Sequence, residues 1–200
     1  VKQEERREQT VRLLLETTEA LVQEKGCNGI TMKDIMERSG LSKGAIFHYV
    51  KSKDEIFVWL LQKRLEETNA RFMDEVEQGP KNFDGPMQKI TDSIMAYGRP
   101  QDVTNKVLMY LLGKENEPIV AEALRIYYER SVSLSRQWIE TGQRHGVIPA
   151  SVDAAQTADL FVVMTLGLRM RSTIPLQSSP FQAEDLTSLM IQILQSKSLT

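Results

Sequence analysis

Apolar residues recur every three to four positions along nearly the whole chain, and no stretch alternates with the two-residue period of a half-buried strand. From Glu4 to Lys25 the recurring positions are Val11, Leu14, Leu15, Thr18, Leu21 and Val22, and Gly26 closes the run. A shorter stripe follows at Met32, Ile35 and Met36. Thr31 stands before it as a helix N-cap, with Asp34 three residues on at capping-box spacing. The stripe stops at Ser39-Gly40, where glycine permits the left-handed backbone of a sharp turn. Ser42 can cap a third helix, Lys43 to about Tyr49, whose Ile46 and Val50 share one face. Two short helices joined by a tight glycine turn predict a helix-turn-helix, and the first helix completes a three-helix head.

The pattern then lengthens. Ser52-Lys53-Asp54-Glu55 has the spacing of a second capping box, and an apolar stripe from Ile56 to Val76 predicts one helix reaching Gln78, ended by Gly79-Pro80. Further helices are predicted from Gly85-Pro86 to Tyr97, from about Thr104 through Leu112, and from Glu117-Pro118 to His145-Gly146. The last two run from about Asp153 to Ser172 and from about Ala183 to Gln195. The helix beginning near Asp153 is apolar on most sides and so needs cover on two faces. One cover can be its own domain and the other a second copy of the chain. The expected fold is all-α: a helix-turn-helix head over residues 1–51 and a helical-bundle body over 52–200.

Charge refines this division. Residues 1–53 hold ten Lys and Arg against eight Asp and Glu, whereas residues 54–200 hold fifteen against nineteen. Between Glu37 and Asp54 there is no acid, while Arg38, Lys43, Lys51 and Lys53 are basic, a pattern suited to a phosphate-lined groove. The longest nonpolar stretch, near Leu160, is broken by Asp159, Arg169 and Arg171, and no charged-then-apolar leader opens the chain. A soluble, cytoplasmic protein without a membrane partner is expected. Cys27 is the single cysteine, so an intrachain disulfide is excluded; it reads as a small semi-buried residue, with a redox sensor as the alternative.

Catalytic chemistry is poorly supplied. His48 and His145 lie far apart without metal-ligand spacing, and there is neither a phosphate-binding glycine loop after a strand nor a nucleophile elbow. No enzyme, metal or cofactor is expected.

The run from Ile30 to Ile56, I-T-M-K-D-I-x-x-x-S-G-L-S-K-G-A-I-F-H-Y-V-K-S-K-D-E-I, resembles the DNA-binding segment of the tetracycline-repressor (TetR) family of bacterial regulators. Two departures stand out: Met36 and Ser39 occupy places where that family usually has small alanines, and Phe47 replaces a usual tyrosine, removing a hydroxyl that could reach a phosphate. On this reading Lys43, Ala45 and His48 project from the recognition helix, beside Phe47, with the Ala45 methyl suited to a thymine methyl. Lys33 can reach a base or a phosphate, and Gly44 lets the backbone approach closely. Thr31, Ser42, Tyr49 and Lys53 are expected to hold phosphates, Lys53 through a helix N-terminus that itself favours anions.

The same resemblance implies a small-molecule cavity in the body. Its expected lining is Met87, Ile94, Tyr97, Met109 and Tyr110, then Tyr127, Tyr128, Trp138, Phe161 and Met164, with Asn105, Gln137 and Arg169 as polar anchors. Each apolar or aromatic member could equally be ordinary core. It also implies a homodimer through the last two helices, here at Ala158, Phe161, Val162, Leu186, Leu189, Met190 and Ile193. The expected function is a homodimeric regulator binding a near-palindromic DNA operator, a repressor released by a small apolar or amphipathic inducer. The rival expectation is a DNA-tethered interaction protein whose body binds a protein partner.

Overall fold

A computed structural model describes residues 2–196. The described residues form α-helices and no strand, in the order α1 (Lys2–Lys25), α2 (Met32–Ser39), α3 (Lys43–Phe47), α4 (Lys53–Gln78), α5 (Asp84–Tyr97), α6 (Val103–Leu112), α7 (Pro118–Arg144), α8 (Ala154–Ser172) and α9 (Ala183–Gln195). None is long and apolar enough to cross a membrane.

The expected boundaries hold closely because their signals are local. Thr31 Oγ1 accepts from the Asp34 amide while the Asp34 side chain accepts from the Thr31 amide, completing the capping box of α2. Gly40 ends α2 at φ 67°, a conformation that a side chain would strain. Two details differ. The helix α3 stops at Phe47 rather than near Tyr49. Ser52 caps α4, but Glu55 turns to the Lys51 amide instead of closing the box on Ser52.

Two apolar clusters hold the molecule. The first joins Leu14, Val22, Ile35, Ile46 and Val50 of the head to Ile56, Phe57 and Leu61 of α4, and continues without interruption into Val107, Leu108 and Leu111 of α6 and Leu134 of α7. The second fills the far end of the body with Phe72, Ile90, Ile94, Ile139, Phe161, Leu186 and Met190. Core packing therefore crosses the expected boundary at residues 51 and 52. A close-packed interior resists gradual deformation, so the head follows the near ends of α4 and α6 as one body.

Among the body helices α8 packs most extensively on α7, with α5, α6 and α9 also against it. This arrangement decides which of its apolar sides face inward. Ala158 and Phe161 of α8 and Leu186 and Met190 of α9, expected at a subunit interface, are instead buried within the single chain. Val162 and Ile193 are half-buried, and Leu189 is exposed. The uncovered apolar stripe on α8 is Leu160, Val163 and Met170.

Candidate functional site

The head presents α3 to solvent. Ile46 and Val50 anchor it in the core, which leaves Ser42, Lys43, Gly44, Phe47 and His48 exposed and Ala45 and Tyr49 half-buried. Space above Gly44 is open, so another backbone can approach it. Lys43 Nζ lies 5.8 Å from the centre of the Phe47 ring, and the Tyr49 ring meets His48 edge-on at 4.9 Å. A flexible cation beside an exposed apolar ring is well suited to base edges in a major groove. Lys33 is also exposed, its nearest acid being Glu37 at 3.6 Å.

Three expected phosphate contacts already have work inside the head. Ser42 caps α3 by accepting from the Ala45 amide, and Thr31 both accepts from and donates to Asp34. Hydrogen bonds from Lys25 and from Thr31 hold the Asp34 carboxyl well below the usual carboxylate range. Lys53 differs most from expectation. Its ammonium donates to Cys27 O at 3.0 Å and Ile30 O at 2.9 Å, tying the α1–α2 loop to the start of α4. These carbonyls lie 26 and 23 residues away in the chain, so no local spacing announced them. Cys27 is buried beneath this contact, and burial pushes its thiol up to about 11. Burial therefore disfavours the reactive thiolate, and with it the redox-sensor alternative.

The junction between head and body is built on α6. Tyr110 lies between two cations, Lys53 Nζ at 5.3 Å and Lys114 Nζ at 5.1 Å from its ring centre, and meets Phe57 edge-on at 5.2 Å. Lys114 also donates to Asp54 Oδ2 at 2.6 Å, joining the end of α6 to the first turn of α4. Asp54 Oδ1 is buried without a partner, so this carboxylate depends heavily on Lys114. Tyr110, expected in a ligand pocket, is thus a junction residue. Met109 lines a second pocket with Leu112, Leu124 and Met170, on the other side of Tyr127, Tyr128 and Leu166, which line both this pocket and the body cavity.

The body contains a cavity of about 150 Å³ between α4, α5, α7, α8 and α9. Of the expected lining, Met87, Ile94, Tyr97, Tyr127, Tyr128, Trp138 and Phe161 meet there; Met164 packs in the neighbouring core instead. Phe72, Val76, Phe83, Ile90 and Met190 also line it, as does Val162. Phe72, Val76 and Ile90 stood in the sequence only as parts of apolar stripes, Val162 and Met190 were expected at a subunit interface, and Phe83 carried no signal. Gly142 permits close packing beside the cavity, because a Cβ there would lie 2.5 Å from Ile148 Cδ1.

Arg169 is the one wall residue with a permanent charge and is only 2% exposed. Its Nε donates to Asn105 Oδ1 at 2.8 Å, Nη1 to Tyr127 OH at 2.6 Å, and Nη2 to Thr104 O and Oγ1 at 3.0 and 3.2 Å. The guanidinium also lies over the Tyr97 ring at 4.4 Å. Burial keeps the Tyr97 phenol neutral by pushing it up to about 12. Asn105 supports Arg169 from behind the wall, and Gln137 points to solvent. Among the described residues no three potential metal ligands gather.

Comparison with known proteins places these parts in context. Residues 14–59 match the family model described as "Bacterial regulatory proteins, tetR family". Over 181 residues the chain is 21% identical to the HTH-type transcriptional repressor NemR of Escherichia coli K12, covering 84% of this chain and 86% of that one. The crystal structure of reduced E. coli NemR superposes with a TM-score of 0.70 at 18% identity, over 94% of this chain and 100% of that chain. A putative transcriptional regulator from Saccharomonospora viridis, solved with choline, gives a TM-score of 0.65 at 17% identity, over 92% and 95% of the two chains.

Proposed function

We propose that the chain is a transcriptional regulator of the TetR family, a homodimeric repressor released from a near-palindromic operator by a small molecule. Residues 1–51 serve as the DNA-binding head and residues 52–200 as the ligand-binding and dimerising body. The observation that carries this reading is the position of α6. Its first turn supports Arg169 at the cavity, and its far end holds α4 through Lys114 and Tyr110.

In this reading, base contact falls to Lys43, Ala45, Phe47 and His48, with Lys33 reaching the groove edge. Gly44 allows close approach, and Tyr49 and the exposed rims of Thr31 and Ser42 meet the backbone. Two heads on a dimer must match half-sites about one or more DNA turns apart, so a small rotation of α4 and α6 costs binding energy. A typical coupling of about 1–3 kcal/mol corresponds to roughly 5- to 150-fold weaker DNA binding, and linkage makes the effect reciprocal. A choline-bound neighbour of similar fold supports a small-molecule role for the body cavity. The protein-partner alternative has less support, because the cavity lies within one chain.

The test is selection of genomic fragments by the purified protein, followed by binding titrations on the recovered site and on random DNA. The proposal expects an inverted repeat bound by one dimer. Recovery of unrelated fragments bound with equal affinity would refute it.

A further inference from the structure

Resting on this reading, we propose that the body cavity takes an anionic amphiphile: a carboxylate seated on Arg169 and Tyr127, with a slender apolar chain running along α5. No carboxylate touches Arg169. The cavity wall contains Arg169 but no Asp, Glu or Lys among the described residues. A buried guanidinium is normally matched by an anion, because removing a charge from water is expensive. Every hydrogen-bond partner that the structure gives Arg169 is neutral: an amide oxygen, a phenol, a peptide carbonyl and a threonine hydroxyl. Asp102 reaches the guanidinium only through Thr104, whose hydroxyl accepts from Nη2 and donates to Asp102, so no carboxylate touches Arg169 directly. The Asp102 Oδ1 receives the Thr104 hydroxyl and the Asn105 amide, and its Oδ2 lies 3.8 Å from the Arg64 guanidinium.

The donor count points to one vacant position. A guanidinium has five N–H groups. One is used on Asn105, two on Thr104 and one on Tyr127, which leaves a second Nη1 hydrogen. Tyr127 OH accepts from Nη1 and retains its own hydrogen to donate. Both residues border the cavity. Together they offer adjacent donors to the two oxygens of a carboxylate, while the fixed neighbours Asn105 and Thr104 keep the guanidinium in place.

The remainder of the cavity selects for the tail. On α5 its wall extends from Tyr97 back to Pro86. That span is about 16 Å at the rise of an α-helix. Met87, Ile90, Ile94, Phe161 and Met190 make it predominantly apolar. An apolar wall spanning this length with its cation at the Tyr97 end suits a chain with one charged terminus. Burial of the tail supplies affinity, and the charged end supplies selectivity.

Octanoate and 1-octanol are suitable probes, because they share a chain and differ in charge. Calorimetric titration of the full chain should give at least tenfold tighter binding of octanoate. Arg169→Met should abolish this preference, and Tyr127→Phe should reduce it several-fold. Thermal melts establish whether each variant is folded; the wild-type preference and the Tyr127→Phe result test the proposal even if Arg169→Met does not fold. Equal binding of the two probes by wild type, or an undiminished preference in folded Arg169→Met, would overturn the anion site. Failure of both to bind would overturn both the anion site and the cavity reading. Tight octanoate binding with unchanged operator affinity would uphold the site but refute inducer release, separating the two claims.

Discussion

Val163→Glu and Phe161→Ala should produce different failures although they lie two residues apart on α8. Phe161 is 3% exposed and borders the cavity, whereas Val163 is 52% exposed on the uncovered stripe with Leu160 and Met170. Covering an exposed valine contributes about 1.5–3 kcal/mol. Half of that range, about 1 kcal/mol, is appropriate for Val163, and a two-fold axis counts it twice, for about 2 kcal/mol per dimer. Two unpaired carboxylates forced into the same contact should add at least as much again. A loss of about 4–6 kcal/mol would raise the dimer dissociation constant roughly 10³- to 10⁴-fold. Phe161→Ala should instead cost about 3–5 kcal/mol of subunit stability, since the adjoining cavity limits collapse around the missing ring. Sedimentation over a concentration series measures the first effect, and urea unfolding with operator titration separates it from the second. A Val163→Glu protein that remained dimeric with undiminished operator affinity would remove this α8 face from the interface. Dissociation of Phe161→Ala without loss of subunit stability would restore Phe161 to the interface.

Lys43→Ala should cost about 1–3 kcal/mol on the preferred site and relax sequence preference; equal losses on operator and random DNA in titrations would make it a phosphate contact. Lys53→Ala should destabilise the head by about 1–3 kcal/mol in urea melts, because two carbonyls lose a charged donor. A flattened salt slope with unchanged stability would instead identify Lys53 as a DNA contact. Lys114→Met should weaken the reciprocal effect of octanoate and operator by orphaning Asp54, and coupling equal to wild type would show that this ion pair does not transmit the signal. For Asp34, the lowered folded pKa makes its stabilising contribution fully present above the unfolded carboxyl value of about 4 and lost as pH falls through the lower folded value. Asp34→Asn should therefore remove part of the acid sensitivity of the head, measured by thermal melts across acidic pH.

Helix order was readable from sequence because its causes are short-ranged. Repeats at three and four residues bring side chains onto one face, and Thr31, Gly40, Ser42 and Asp153 act on backbone groups within a few residues. The exposed face of α3 was readable for the same reason: once Ile46 and Val50 point inward, Lys43 and His48 have to point outward. Which side of α8 faced its own subunit was not readable, because almost every side could be buried. Packing against α7, α5 and α9 decided it, placing Phe161 at the cavity and leaving Val163 uncovered. Lys53 could be placed at the first turn of α4, but its carbonyl partners came from a distant turn of chain. Arg169 likewise appeared only as a possible polar anchor. The tertiary fold brought it to Asn105 and Thr104, 64 and 65 residues away, and left its charge beside an apolar cavity. Local spacing determines which backbone turns can form, whereas burial of a particular side chain depends on which remote surfaces remove it from water.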